Sequence, residues 1–229
     1  MAREFIVAID GTAGSGKSTT ARLAARQLGF LHLDTGAMYR AVTLKVIRQK
    51  LDPSDTARLS EVIAQTVIDL KSEQGANRVV MDEEDVTEAI RTPEVDRMVS
   101  PVSVVPAVRE HLVAQQRRIA RGREVVCEGR DIGSVVFPRA DLKFYMDCDL
   151  NARARRRHVE LQDQGVSLAG KSIADNLSQR DYIDSTRAHS PLTRVPDAIL
   201  LDTTNLTIAE EVAVVVTITR IRIARRANP

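Results

Sequence analysis

The run Gly11-Thr12-Ala13-Gly14-Ser15-Gly16-Lys17-Ser18 constrains this 229-residue chain more than any other part of it. It fits GxxxxGK[ST] and sits between two periodic segments. Phe5 to Asp10 before it is a short apolar run, β-branched and aromatic, which predicts a buried strand. Lys17 to Leu28 after it carries apolar or small residues at helical spacing, and Gly29 is a good stop. Strand, glycine loop and helix in that order form an anion cradle. Glycine permits positive φ and close backbone approach, so successive N–H groups turn inward, and the helix start adds its positive dipole end. Lys17 then suits the β/γ oxygens of a nucleoside triphosphate, and the Ser18 hydroxyl suits Mg²⁺. A glycine turn that merely ends a strand would need neither. The expected triphosphate contacts are therefore Gly11, Thr12, Ala13, Gly14, Ser15, Gly16, Lys17, Ser18 and the adjoining Thr19.

The loop alone does not separate a kinase from a switch GTPase or a motor ATPase. A GTPase adds DxxG and NKxD, and neither occurs in the chain. Composition narrows the field further. Aromatics are 3% and Trp is absent, which argues for an aliphatic core and against stacking of nucleic-acid bases. Net charge is +2, so any basic site is local and no anionic polymer or membrane is implied. Cys127 and Cys148 lie in apolar runs without CxxC and read as buried thiols. No stretch approaches the ~20 apolar residues of a membrane span, nor does the start resemble a signal peptide. The expected setting is cytoplasmic.

Further along, Phe30–Leu33 reads as a second strand and 37–50 as a helix, the βαβ sign of a parallel sheet. Strands are also expected at 123–127, 142–147 and 198–202. Helices are expected at 105–120, 151–164, 171–187 and 208–225. The expected fold is α/β, a P-loop NTPase-type five-stranded parallel sheet with helices on both faces. Thr66–Lys71, Arg78–Asp82 and 85–87 are half-polar strands with no helix between them, and 72–77 suits a hairpin loop. They predict a small antiparallel sheet with one wet face. The expected domains are a core of 1–61 and 103–229, with a lid at about 151–170, and an insertion at 62–102.

Two arginine clusters bear on chemistry. Arg153, Arg156 and Arg157 fall at i, i+3, i+4, so a helix puts them on one face just after a core strand, where open α/β sheets bind ligands. A solvated basic face is the alternative. Arg180, Asp184 and Arg187 fall at i, i+4, i+7, which is either an intrahelical ion-pair ladder or a phosphate site whose carboxylate orients the guanidiniums. Arg40, Arg109 and Arg130 lie at or near predicted element ends. One triphosphate does not call for so many; a donor and a phosphorylated acceptor do.

With these residues in view the chain resembles the bacterial cytidylate kinases, a branch of the nucleoside-monophosphate kinases. The resemblance spans nearly the whole chain. It is carried by Ile9 to Thr19, Leu33 to Ala41 (LDTGAMYRA), Glu84 to Val95 (EDVTEAIRTPEV), Glu128 to Ala140 (EGRDIGSVVFPRA) and Arg180 to Leu192 (RDYIDSTRAHSPL). Thr12 stands where the family often has Pro, and Thr35 where Ser is frequent. The resemblance implies a mobile arginine-bearing lid and an enlarged acceptor-binding insertion. It implies that Thr35, Tyr39, Arg40, Ser100, Arg109, Arg130 and Asp131 line a CMP site, with Ser100, Arg109 and Asp131 reading cytosine. Arg180 and Asp184 would read the ribose, Arg187 the phosphate, and Arg153 and Arg157 would close over the transferring group. Lys17, Arg153, Arg157 and Arg187 are then the expected catalytic residues, Ser18 the metal ligand, ATP and Mg²⁺ the cofactors. The partners are ATP, CMP and dCMP, with no nucleic acid or membrane, and the chain is expected to be a monomer. The rivals are a regulatory ATPase without a small acceptor and a kinase for UMP or AMP. A nucleic-acid contact through Arg220, Arg222, Arg225 and Arg226 is weaker than a solvated helix end, which suits the dipole.

Overall fold

A computed structural model describes residues 4–73, 76–163 and 170–227. In chain order the elements begin with β1 (Phe5–Gly11), α1 (Lys17–Leu28), β2 (Leu31–Asp34), α2 (Thr35–Arg48) and α3 (Thr56–Ala64). Next come β3 (Ile68–Glu73), β4 (Ala76–Met81), β5 (Glu84–Asp85), α4 (Pro93–Ser103), α5 (Pro106–Ala120) and β6 (Glu124–Gly129). The chain continues with β7 (Leu142–Asp147), α6 (Leu150–Asp163), α7 (Gly170–Thr186), β8 (Ile199–Asp202) and α8 (Ile208–Ala227). Of the expected hairpin loop, 74–75 lie outside the described residues, as do 164–169 of the expected lid.

Five strands make the parallel sheet, in the order β2-β6-β1-β7-β8. The chain divides into two compact units, one of Leu31–Val125 with Glu4, the other of Phe5–Phe30 with 126–227.

The second unit holds the loop. Phe5, Val7, Ile9, Val126, Phe144 and Met146 form its core, with Ala21, Ala24 and Ala25 of α1 and Val212, Val215 and Val216 of α8. The three alanines explain α1: their small side chains let a helix lie close on a sheet, and burying the aliphatic set contributes about 25 cal/mol per Å². Gly29 ends α1 in the left-handed region, φ 74°, with its N–H returning to the Ala25 carbonyl. β1 pairs in parallel with β7, and β7 with β8. α8 starts in a capping box: the Thr207 hydroxyl accepts from Glu210 N at 3.3 Å, and the Glu210 carboxylate accepts from Thr207 N at 2.8 Å. Of its basic end, Arg226 is tied inward, bonding Asp141 at 2.6 Å and lying over the Phe5 ring. No described helix is long and apolar enough to cross a membrane.

The first unit holds the whole of the expected insertion, together with β2, α2, α3 and α5. Its antiparallel sheet, β3-β4-β5, pairs Ile68 with Met81 and Leu70 with Val79. All four are buried, while Arg78 is exposed, which is the one wet face that the half-polar pattern predicts. Asp82 and Glu83, both at positive φ, turn β4 into β5. Two helices here were not expected. Asp55 caps α3 by accepting from Arg58 N, and Thr92 caps α4 with Pro93 in its first turn, where no intrahelical N–H is lost.

Candidate functional site

The loop joins β1 to α1 and its conformation is fixed from behind. A Cβ at Gly16 would stand 2.8 Å from the Glu211 carboxylate, and φ there is +91°, so position 16 takes glycine on both counts. The Thr12 carbonyl accepts from Ser15 N, Ser15 Oγ and, at 2.9 Å, Lys17 Nζ. The Ser15 carbonyl is held outward by Thr203 Oγ1 at 2.9 Å and more loosely by Arg156 Nη1. These bonds hold the Thr12 and Ser15 carbonyls, while two of the loop's amides are spent within the protein, Ser15 N on the Thr12 carbonyl and Ala13 N on Asp181. An anion would be met by the amides that follow them into α1.

Lys17 is 6% exposed. Burial, and then the charge of Arg130, bring its ammonium down to about 7, against the pull of Glu128 and Asp184. Ser18 Oγ donates to Glu128 Oε2 at 2.7 Å. That carboxylate is buried at the end of β6, so a hydroxyl and a carboxylate oxygen lie together beside the loop. Mg²⁺ takes oxygen ligands and usually only one or two from protein, the rest from phosphate and water, so Ser18 and Glu128 fit it.

The arginine cluster is assembled from two elements of the same unit. Arg130, just past β6, donates from Nε to Asp184 Oδ2 of α7 at 2.7 Å. Arg187 approaches the other Asp184 oxygen at 3.7 Å and Asp131 at 3.9 Å, and its Nε donates to the Ser190 carbonyl. Burial would raise the Asp184 carboxyl, but Arg130, Arg187 and Arg180 together hold it below the usual carboxylate range. Arg180 is half-buried on the same helix, and its charge, like those of Arg130 and Asp184, acts on Lys17.

The three arginines of α6 part company. Arg153 is buried; its Nη1 donates to the Ala13 carbonyl at 3.0 Å and to Asp181 at 2.5 Å. Asp181 in turn accepts from Ala13 N, so the two side chains grip one loop residue. Arg156 turns to Glu211 and to the Thr203 and Leu206 carbonyls. Arg157 pairs with Glu160 at 2.8 Å.

In the first unit, Thr35 opens α2 and is buried. Tyr39 lies one turn on, with the Arg109 guanidinium 5.4 Å from its ring centre. Arg109, on α5, is 3% exposed and donates to the Ser103 carbonyl. Arg40 is ion-paired with Asp96. Ser100 is half-buried on α4, its carbonyl accepting from Ser103 Oγ. The structure thus gathers Tyr39 with Arg109, and separately Arg130, Asp131, Asp184 and Arg187. Residues not singled out from sequence are Asp10, Glu128, Asp181 and Glu211. The signal available for the first two is a carboxylate at the end of an apolar strand.

A glycine phosphate loop on a parallel sheet, with a buried lysine and an arginine cluster beside it, defines a P-loop nucleotide-binding protein of the phosphoryl-transfer kind. The model of the family described as "Cytidylate kinase" matches residues 7–221. A cytidylate kinase of Caldanaerobacter subterraneus subsp. tengcongensis is 49% identical over 90% of both chains. Another, of Solibacter usitatus, is 44% identical over 96% of this chain and 94% of its own. This chain belongs to the cytidylate kinase family. A solved structure of an uncharacterized protein from Eubacterium ventriosum covers 95% of the chain with a TM-score of 0.52 at 10% identity, a likeness of fold alone.

Proposed function

We propose that the protein transfers the γ-phosphoryl group of ATP to the 5′-phosphate of CMP or dCMP, giving ADP and CDP or dCDP. The observation that carries the reading is geometric: the compact unit that holds the donor loop also holds a second, arginine-rich cluster. In it Arg130 bonds Asp184 of α7 at 2.7 Å and Arg187 lies 3.7 Å from the same carboxylate, and the charges of Arg130, Arg180 and Asp184 bear on the buried Lys17. A lone triphosphate does not need that second cluster, whereas a monophosphate acceptor does. The acceptor oxygen is already anionic near neutral pH, so no general base is required. What remains is to hold two polyanions in line and to neutralise charge as it spreads over the transferring group. Lys17 and the loop amides take the donor phosphates. Mg²⁺, held by Ser18 and Glu128, supplies charge stabilisation on the phosphate oxygens when it is bound. Arg130, Arg180 and Arg187 take the acceptor, and Asp184 fixes their planes. Arg153 grips the loop at Ala13, and we assign it the task of tying α6 to the donor side; Arg157 remains the arginine for the transferring group. In the first unit, Thr35, Tyr39, Arg40, Ser100 and Arg109 are assigned to CMP, with the expected acceptor insertion at 62–102 and the lid near 151–170. The setting is the cytoplasm and the working form a monomer.

The test is ATP turnover against a panel of ribo- and deoxyribo-monophosphates. ADP should form rapidly with CMP or dCMP and only slowly without an acceptor. Equally fast hydrolysis with no monophosphate would replace this reading by that of an acceptor-free ATPase, and a preference for UMP or AMP would reassign the acceptor. Base reading has its own check. Arg109 is immobilised by Tyr39 and the Ser103 carbonyl, so it can present donors in a fixed direction. Arg109→Ala should lower the ratio of kcat/KM for CMP over UMP by about 10-fold or more, since losing a fixed polar contact costs discrimination. An unchanged ratio removes Arg109 from base recognition.

A further inference from the structure

Asp10 is the last charged residue of β1 before the phosphate loop and is 5% exposed. Both of its oxygens are engaged. Oδ1 accepts from Ile132 N and Oδ2 from Gly133 N, each at 2.7 Å, across more than 120 residues of sequence. These two amides open a π-helical turn, Ile132–Val136, in which Val135 N and Val136 N both return to the Asp131 carbonyl. Arg130 and Asp131 therefore stand at the head of a turn whose first two N–H groups are pinned by one carboxylate. A Cβ at Gly133 would stand 3.1 Å from the Lys143 stem and 3.3 Å from the Asp10 carboxylate, so a side chain there would crowd the grip.

We infer that Asp10 is a positioning residue, whose two-amide grip fixes Arg130 and Asp131 against the strand that carries the donor loop and so sets where the acceptor is held relative to ATP. The inference rests on the assignment of Arg130 and Asp131 to the acceptor. A carboxylate is the one side chain that fits. Each of two parallel N–H donors needs an acceptor, and an amide or a protonated carboxyl would turn its own N–H or O–H toward one of them. Asp10 does not act on substrate; it acts through the turn.

The surroundings make the grip sensitive to acid. Burial carries the Asp10 carboxyl up to about 6, the two amides oppose the rise, Asp131 adds to it and Arg130 opposes it. On β7, Tyr145 feels the Asp10 charge, while Lys143 sends its ammonium away to the Pro138 carbonyl and Asp197. Above pH 6 the carboxylate holds both amides; below it, the added proton faces one of them.

The experiment compares the full-length protein with Asp10→Asn and, independently, Gly133→Ala, which crowds the carboxylate without changing a charge. At about pH 8, each variant should lose about 10- to 100-fold in kcat/KM for CMP, the scale of a displaced contact group. The dissociation constant for ADP should stay within about twofold, which also shows that the variant is folded. The ratio of parent to Asp10→Asn in kcat/KM cancels the titration of the substrate's own phosphate. It should shrink toward one as pH falls through 6. A ratio near one at pH 8, an equal loss for both nucleotides, or a ratio constant across the range overturns the inference. A parent protein that does not phosphorylate CMP overturns the functional reading instead, so the two failures are distinct.

Discussion

Lys17→Met is expected to cut phosphoryl transfer by a factor on the order of 10³, the upper range for loss of one preorganised charge contact, and at the same time to stabilise the ligand-free protein. Both effects come from one fact. The ammonium is buried beside the phosphate loop, with Arg130 as its least welcome neighbour. Lys17 titrates at about 7 when folded, against 10.5 for a free lysine. Below the folded value, both states hold the proton and the cost of burying the charge is fully present. Between the two values the unfolded chain binds more protons, so unfolding free energy rises with pH; above the higher one the cost has gone. The stability gain from Lys17→Met should therefore be largest below pH 7 and shrink as pH rises toward 10. Urea unfolding at about pH 6 and about pH 10 measures it. A bound triphosphate should restore the proton, because its charge outweighs that of Arg130. Calorimetry of ATP binding near pH 8, in buffers of different ionisation heat, should show proton uptake by the parent and none by Lys17→Met. A variant that turns over normally removes Lys17 from the donor site, and a parent that takes up no proton removes the lowered titration of its free ammonium.

The loop that yields this prediction was readable because its signal is local. The helix expected at Lys17–Leu28 and the strand expected at Leu142–Asp147 have those same bounds in the structure, since alanine spacing, Gly29 and an apolar run each act within a few residues. α3 and α4 were not read. The first has nine residues after a turn-like Asp-Pro-Ser-Asp, and the second carries Pro93 and Pro101, which resemble breaks until a first-turn position and a cap are seen. The arginines mark a different limit. Helical spacing puts Arg153, Arg156 and Arg157 on one side of α6, yet they meet Ala13, Glu211 and Glu160 respectively. A shared face does not give a shared partner, because guanidinium stems are long and each finds the nearest acceptor. Asp10 shows the same limit from the other end. A carboxylate at a strand end is visible in the sequence, but the two amides that explain it lie far along the chain.

Asp184→Ala should weaken CMP binding by about 100-fold or more, the scale of breaking a buried ion pair from one side, and should leave ADP binding within about twofold. The carboxylate faces Arg130, Arg187 and Arg180 together, and its bond from Arg130 Nε sets the plane of that guanidinium. Its loss frees Arg130 to turn and removes the carboxylate that offsets the mutual repulsion of Arg130 and Arg187. Tighter phosphate binding is therefore not expected, although net positive charge rises, because bidentate recognition depends on fixed planes more than on charge. Asp184→Asn separates the two effects, as it keeps the shape and removes the charge. Since the folded carboxyl lies below 3.8, its contribution to stability is complete above that value and lost as pH falls through the lower folded one. The parent should accordingly be more stable than Asp184→Asn at neutral pH, and the gap should close only in strong acid. Equal loss of CMP and ADP binding in Asp184→Ala would detach α7 from the acceptor.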